Sequence, residues 1–210
     1  LRPAAGPVHL NLPFRDPLPP LPDDGATAVV AGKIDWDSFF AHLVPAVPVV
    51  QLVPVPPLQP DVHGAIVVGP AQPADPERFC AEVGEIARRL GWPVLADGLS
   101  GLRGWPGLQV VHGYDILLAE GHGFPAAPQL LRLGSMPASR RLQQWITASG
   151  GPQLLISEGD PRNLDATGTA SQQLSGGLAS WLAGLPGTVR SGSVSASNQV
   201  WLDQWVKADQ

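Results

Sequence analysis

One cysteine, one methionine and no surplus of basic residues set the first limits on this chain of 210 residues. The single thiol, Cys80, excludes an internal disulfide framework and any metal site built from several thiolates. It sits between Phe79 and Val83 on a predicted helix, where it reads as a small buried hydrophobe with no assigned chemistry. Thirteen Lys and Arg against 18 Asp and Glu give a formal charge of -5. A surface that grips phosphates needs the opposite balance, so nucleic acid is not an expected partner. No uninterrupted apolar run approaches the roughly 20 residues that span a bilayer, and no charged-then-apolar leader opens the chain. A membrane span is therefore not expected, and the expected location is cytoplasmic. Leu1 opens the sequence and Met136 is the sole methionine, which reads as a piece of a longer product with sequence missing on both sides.

Several chemistries lack their motifs. The histidines, His9, His42, His63, His112 and His122, show no metal-ligand spacing. No Gly-x-Ser-x-Gly elbow occurs, neither Ser100 nor Ser135 stands in a nucleophile's context, and the carboxylates fall in capping and turn positions. A glycine fingerprint for dinucleotides is missing after the first predicted strand. The turn there is Gly69-Pro70-Ala71-Gln72-Pro73, in which prolines remove the backbone donors that a pyrophosphate would use. Asp97 stands where a ribose-binding acid would stand in such a fold, or else opens an Asp97-Gly98 turn.

What the chain does have is unevenly spread. Of its 24 prolines, 13 fall within residues 1–63. Runs such as Pro17-Leu18-Pro19-Pro20-Leu21-Pro22 and Pro54-Val55-Pro56-Pro57 favour extended or turn backbone, so 1–63 reads as an irregular interdomain arm. One helical island, residues 35–43, is capped by Asp35, shows Trp36, Phe39, Phe40 and Leu43 on one face, and is expected to pack on the domain that follows. From Gly64 onward, apolar runs of strand length alternate with helix-like stretches, the pattern of a parallel sheet with crossover helices. Strands are expected at 65–68, 92–96, 130–133, 153–156 and within 168–174. Asp75-Pro76-Glu77 supplies a cap, a first-turn proline and an acid, and Gly91 stops the helix that they start. A short apolar stretch at 114–119 and helices at 138–149 and 178–185 follow. The expected fold is α/β, a doubly wound, mostly parallel sheet of five or six strands over 64–186. Residues 187–210 read as a linker, rich in Ser and Gly at 188–197, and a helix starting near Asn198. Trp201 and Trp205 lie one turn apart on that helix, which calls for a surface to dock against.

One cluster suits a ligand. Gly134-Ser135-Met136-Pro137-Ala138-Ser139-Arg140-Arg141 runs from a strand end into a helix start, where free N–H groups and two guanidinium groups can receive a carboxylate. The alternative is a solvated or interdomain salt-bridging pair.

Gly6-Pro7-Val8-His9-Leu10-Asn11-Leu12-Pro13-Phe14-Arg15-Asp16-Pro17-Leu18 resembles a segment of the 2-succinyl-5-enolpyruvyl-6-hydroxy-3-cyclohexene-1-carboxylate synthase (MenD) family. So do Leu90-Gly91-Trp92-Pro93-Val94, Asp97-Gly98-Leu99-Ser100, Leu133-Gly134-Ser135 and Arg140-Arg141-Leu142-Gln143-Gln144-Trp145, in the order of that family's middle domain to about Leu185. Residues 20–63 match least. The resemblance implies a nucleotide-free, Rossmann-like middle domain with no catalytic, cofactor-binding or metal residues of its own. For the parent it implies thiamine diphosphate with Mg2+, decarboxylation of 2-oxoglutarate, and addition to isochorismate on the way to menaquinone or phylloquinone. It also implies flanking thiamine-binding domains on the same chain and a homodimer or homotetramer. Arg140 and Arg141, and more weakly Arg103, become contacts for a substrate or effector carboxylate. Alternatives remain open: a regulatory module for an acidic metabolite, a free-standing nucleotide-binding protein, and the middle domain of another thiamine-diphosphate enzyme such as acetolactate synthase.

Overall fold

A computed structural model describes residues 9–13, 25, 29, 31–41, 58–119, 123–185 and 194–210. The chain divides into two compact units, residues 1–47 and 48–210. The proline runs 17–22 and 54–57, Leu43, and the stretch 188–193 lie outside the described residues.

In the first unit, the island forms helix α1, Trp36–Phe40, and the Asp35 carboxylate accepts from the Ser38 N–H at 3.1 Å. Its three aromatic rings cluster, with Trp36 stacked on Phe40 and Phe39 edge to face with both, 5.0 Å from Phe40 between centroids.

In the second unit, Asp75 caps helix α2, Pro76–Leu90, by accepting from Arg78 N–H at 3.0 Å, with proline in the first turn as expected. Gly91 ends α2 at φ 64, the left-handed conformation that a Cβ disfavours. Strands β1 (Ala65–Val68), β2 (Val94–Ala96), β3 (Leu130–Leu133), β4 (Gln153–Ile156) and β5 (Gln172–Leu174) form one sheet, all pairs parallel, in the order β2-β1-β3-β4-β5. Helices α3 (Tyr114–Leu117), α4 (Arg140–Ala148), α5 (Leu178–Gly184) and α6 (Ala196–Ala208) complete it. This is the doubly wound α/β fold anticipated, with five strands.

Alternation along each strand makes three layers. Ile66, Val68, Leu131, Leu133, Leu154 and Ile156 meet α2 and α5 on one face. Ala65, Val67, Leu95 and Leu130 meet α3, α4 and α6 on the other. Strands β1 and β2 are buried on both sides and read as continuous apolar runs, whereas β5, at the sheet edge, is only partly buried and carries two glutamines. Helix α6 docks through Trp201 and Trp205, both buried, each worth about 1.5–3 kcal/mol by removal of apolar area from water. It is stitched down by polar bonds as well. Asn198 Nδ2 donates to the carbonyls of Pro60 and Leu90, each at 2.7 Å, and Trp201 Nε1 donates to Gly64 O at 2.9 Å. Residues 58–62 are held by Gln129, whose amide accepts from Gln59 N–H and donates to the carbonyls of Gln59 and Val62. Cys80 is buried in the core, and desolvation pushes its thiol pKa up.

One strand carries a charge into the interior. Arg132 on β3 is 3% exposed and pairs with Asp165, whose side chain is 7% exposed, at 2.9 Å. Arg132 Nη1 also donates to Gln153 Oε1 and Thr169 Oγ. Asp165 takes a second bond from Ala170 N–H. This network holds the helix-free crossover from β4 to β5 onto the sheet. Burial pushes the Asp165 carboxyl up, but Ala170 N–H, Arg132 and Thr167 together hold it below the usual carboxylate range.

Candidate functional site

Doubly wound sheets bind ligands beyond the carboxyl ends of their strands, at the point where the order reverses. Here that point lies between β1 and β3, and the chain itself fills it. Ser135 N–H donates to Pro70 O at 2.9 Å. A Cβ on Gly69 would lie 1.6 Å from Ser135 O, and one on Gly134, at φ 75, would lie 2.5 Å from Pro70 O. The two turns are thus in backbone contact over the crevice in which a pyrophosphate would have to lie.

An open cleft of about 480 Å³ lies to the side, beyond the end of β2, between the 97–103 loop, the 112–116 segment and the start of α4. Asp97 shapes its floor. Oδ1 accepts from Leu99 N–H and Oδ2 from Ala138 N–H, both at 2.8 Å. Of the two readings left open for Asp97, the turn is the one formed, and its second oxygen ties the β2 end to the approach to α4. Both carboxylate oxygens are engaged by backbone N–H groups.

Arg103 is the cation of this cleft. Its Nε donates to Ala96 O at 2.9 Å and its Nη2 to His112 O at 2.6 Å, and the guanidinium lies 5.5 Å from the centroid of the Tyr114 ring. Neither bond uses Nη1. Burial pushes the Tyr114 phenol up, and nearby Asp97 and Asp115 add to this against the opposing charge of Arg103. Leu99, 74% exposed, and Ile116, 66% exposed, give the cleft apolar walls.

The expected arginine pair is split between different settings. Ser139 caps α4 by accepting from Leu142 N–H at 3.1 Å, and its hydroxyl donates to Asp115 Oδ1. Arg141 reaches across to Asp115 Oδ2 at 2.7 Å, and both side chains of this pair are 50% exposed. The Ser139 hydroxyl, and after it the Arg141 guanidinium, hold Asp115 below the usual carboxylate range against desolvation. Arg140 is exposed on the first turn of α4. Arg103, Asp115 and Ser139 line the cleft, whereas Arg140 and Arg141 stand outside its lining.

Sequence reasoning did not find Tyr114, Asp115 or Asp209. The Asp209 carboxylate accepts from His112 N–H at 2.8 Å and Gly113 N–H at 2.5 Å. A lone tyrosine followed by an acid in a short apolar stretch was the available signal for the first two. Asp209 had none.

A parallel, doubly wound sheet with backbone packed over its switch point and a cleft to the side defines an α/β domain of Rossmann-like topology. The family described as the middle domain of thiamine pyrophosphate matches residues 60–209, and this chain belongs to that family. It is also similar to proteins named 2-succinyl-5-enolpyruvyl-6-hydroxy-3-cyclohexene-1-carboxylate synthase. Identity is 45% with that of Synechococcus sp. (strain RCC307), over 98% of this chain and 34% of the relative. It is 45% with that of Synechococcus sp. (strain CC9311), over 84% and 31%, and 38% with that of Acaryochloris marina, over 78% and 30%. The chain therefore spans about a third of the length of these relatives.

The residues described do not fit a thiamine diphosphate site. The crevice that would receive a diphosphate is closed by the Gly69 and Gly134 turns. Among the described residues, no three His, Cys, Asp or Glu side chains are grouped to hold a metal ion. Also among the described residues, no helix is long and apolar enough to cross a membrane.

Proposed function

We propose that this chain is the middle domain of a synthase that decarboxylates 2-oxoglutarate and adds the product to isochorismate in menaquinone or phylloquinone formation. The observation that carries this reading is 45% identity to a synthase of that name over 98% of the chain. Within it, residues 1–63 form the interdomain arm, 64–186 the α/β body, and 187–210 the outgoing segment, with 58–62 and 196–208 laid against the body. Thiamine diphosphate with Mg2+, carried by flanking domains of the same polypeptide, supplies the electron sink for decarboxylation. The parent is cytoplasmic and a homodimer or homotetramer.

This domain's part is to hold its neighbours in register and to present cations to acidic ligands. Arg140, exposed at the head of α4, and Arg141, held beside it by Asp115, face a substrate carboxylate at the domain edge. In the full-length enzyme, Arg140→Ala should raise KM for one of the two acidic substrates with little loss of kcat, because the binding removed is shared equally by ground state and transition state. Unchanged KM for both substrates would remove Arg140 from the substrate edge.

A second reading has its own support in the cleft. Arg103 beside Tyr114, Leu99 and Ile116 suits an acidic ligand with an apolar body, as a regulatory metabolite would have. A thermal-shift series with thiamine diphosphate and Mg2+, NAD, FAD, ADP, 2-oxoglutarate and late quinone-pathway acids distinguishes the readings, since a ligand that binds only the folded state raises the melting temperature. A response to an acid that is lost in Arg103→Ala favours regulation, and no response to any favours a scaffold. A nucleotide response would overturn both.

A further inference from the structure

We infer that Asp209, at the end of the last helix, is a positioning residue for Arg103: its carboxylate fixes the His112-Gly113 turn, and that turn fixes the guanidinium in the cleft. The bonds run in series. His112 N–H donates to Asp209 Oδ2 at 2.8 Å, and His112 O accepts from Arg103 Nη2 at 2.6 Å. One residue is therefore engaged at both ends of its backbone, by the helix on one hand and by the cleft cation on the other. Gly113 N–H donates to the other Asp209 oxygen, so the carboxylate takes two successive N–H groups, a charge-assisted pair stronger than ordinary neutral bonds. Gly113 also opens α3, which carries Tyr114 beneath the guanidinium and Asp115 against Arg141.

Asp209 is itself held in place. Its N–H donates to Trp205 O at 3.1 Å, and the wholly buried Trp205 packs against Phe124, Trp145 and Trp201. Further up the helix, Asn198 bonds to the carbonyls of Pro60 and Leu90. The carboxylate thus stands where the seat of α6 puts it. The cleft offers its cation in a fixed direction only while α6 is seated, and by linkage an anion that reads Arg103 favours the seated helix. That functional consequence rests on the reading of the cleft as an anion site; the positioning itself is tested without a ligand.

The test is the rate at which phenylglyoxal, an arginine reagent, modifies each arginine in this chain and in Asp209→Ala and Asp209→Asn, read by peptide mass. Arg103 should react about tenfold faster in Asp209→Ala, the factor that about 1.4 kcal/mol of lost bonding represents. Asp209→Asn, which keeps one acceptor, should fall between. Arg162, bonded to Asp160, should keep its rate in all three. Amide exchange at His112 and Gly113 should rise together with Arg103 reactivity, while tryptophan fluorescence stays unchanged. If only the amides at the end of α6 exchange faster and Arg103 reacts at its original rate, Asp209 is a helix cap alone and the inference is overturned. If Asp209→Ala fails to fold, Asp209→Asn decides, and an unchanged Arg103 rate there overturns it. The anion reading is settled separately by titrating the unaltered chain with succinate and benzoate while following the His112 amide resonance. No shift with either removes that reading, and the Arg103 rates still decide the positioning.

Discussion

Two arginine–aspartate pairs of almost the same length do opposite things in this molecule. Arg132–Asp165 measures 2.9 Å with side chains 3% and 7% exposed, whereas Arg141–Asp115 measures 2.7 Å with both 50% exposed. Distance does not separate them; solvent does. Out of water, each ion must be matched bond for bond, and Asp165 is, by Arg132, Thr167 and Ala170 N–H. Arg132 falls short, since its buried Nη2 has no hydrogen-bond partner. At the cleft rim, water does most of that work, so the Arg141 pair can open and exchange partners at little cost. The buried pair shapes the chain, and the exposed one is free to be used.

The largest effect should follow from breaking the buried pair on one side. Asp165→Ala leaves Arg132 charged and unmatched, and urea unfolding should show a loss of about 3–5 kcal/mol. Replacing both partners, as Arg132→Met with Asp165→Leu, should cost less than the single change, because it removes the unmatched charge together with its partner. A double variant as unstable as Asp165→Ala would mean that the pair is worth more than its burial costs.

Acid sharpens the same contrast. Asp165 sits below its ordinary value in the folded chain, so its stabilising contribution is complete above the unfolded carboxylate pKa and disappears as pH falls through the lowered folded value. Urea midpoints measured downward from neutral pH should therefore fall more steeply for the natural chain than for Asp165→Asn. Asp115 is lowered too, but it is half exposed, and Asp115→Asn should leave the acid limb nearly unchanged. The smallest effect is expected for Arg141→Ala, under about 1 kcal/mol and vanishing in about 1 M salt, where the screening length is roughly 3 Å.

The sheet was legible because its signals are local. Ala65-Ile66-Val67-Val68 is apolar on both faces, and Asp75-Pro76 and Gly91 bracket α2 within the span that they control. The closed switch point was legible in part, since the prolines after Gly69 already argued against a phosphate turn. Arg132 was not, because the leucines on either side of it make β3 read as an uncharged strand, and its partner lies 33 residues away, within the helix-free crossover from β4 to β5. The cleft was half legible. Arg103 could be named, but its carbonyl partners, the Tyr114 ring and the 97-residue reach of Asp209 exist only once the layers have stacked. Arg140 and Arg141 were named for their place at a helix start and for the family resemblance, and neither says anything about the acid on another helix that would claim one of them.

The meeting of the Gly69 and Gly134 turns has a consequence for which residues can change. The atoms nearest to a Cβ placed at either glycine are backbone atoms of the other turn. The crevice is closed by main chain, which the removal of a side chain does not open. Any side chain at Gly69 or Gly134 would press on backbone that cannot rotate aside, so these two positions should resist substitution more than any residue of the open cleft.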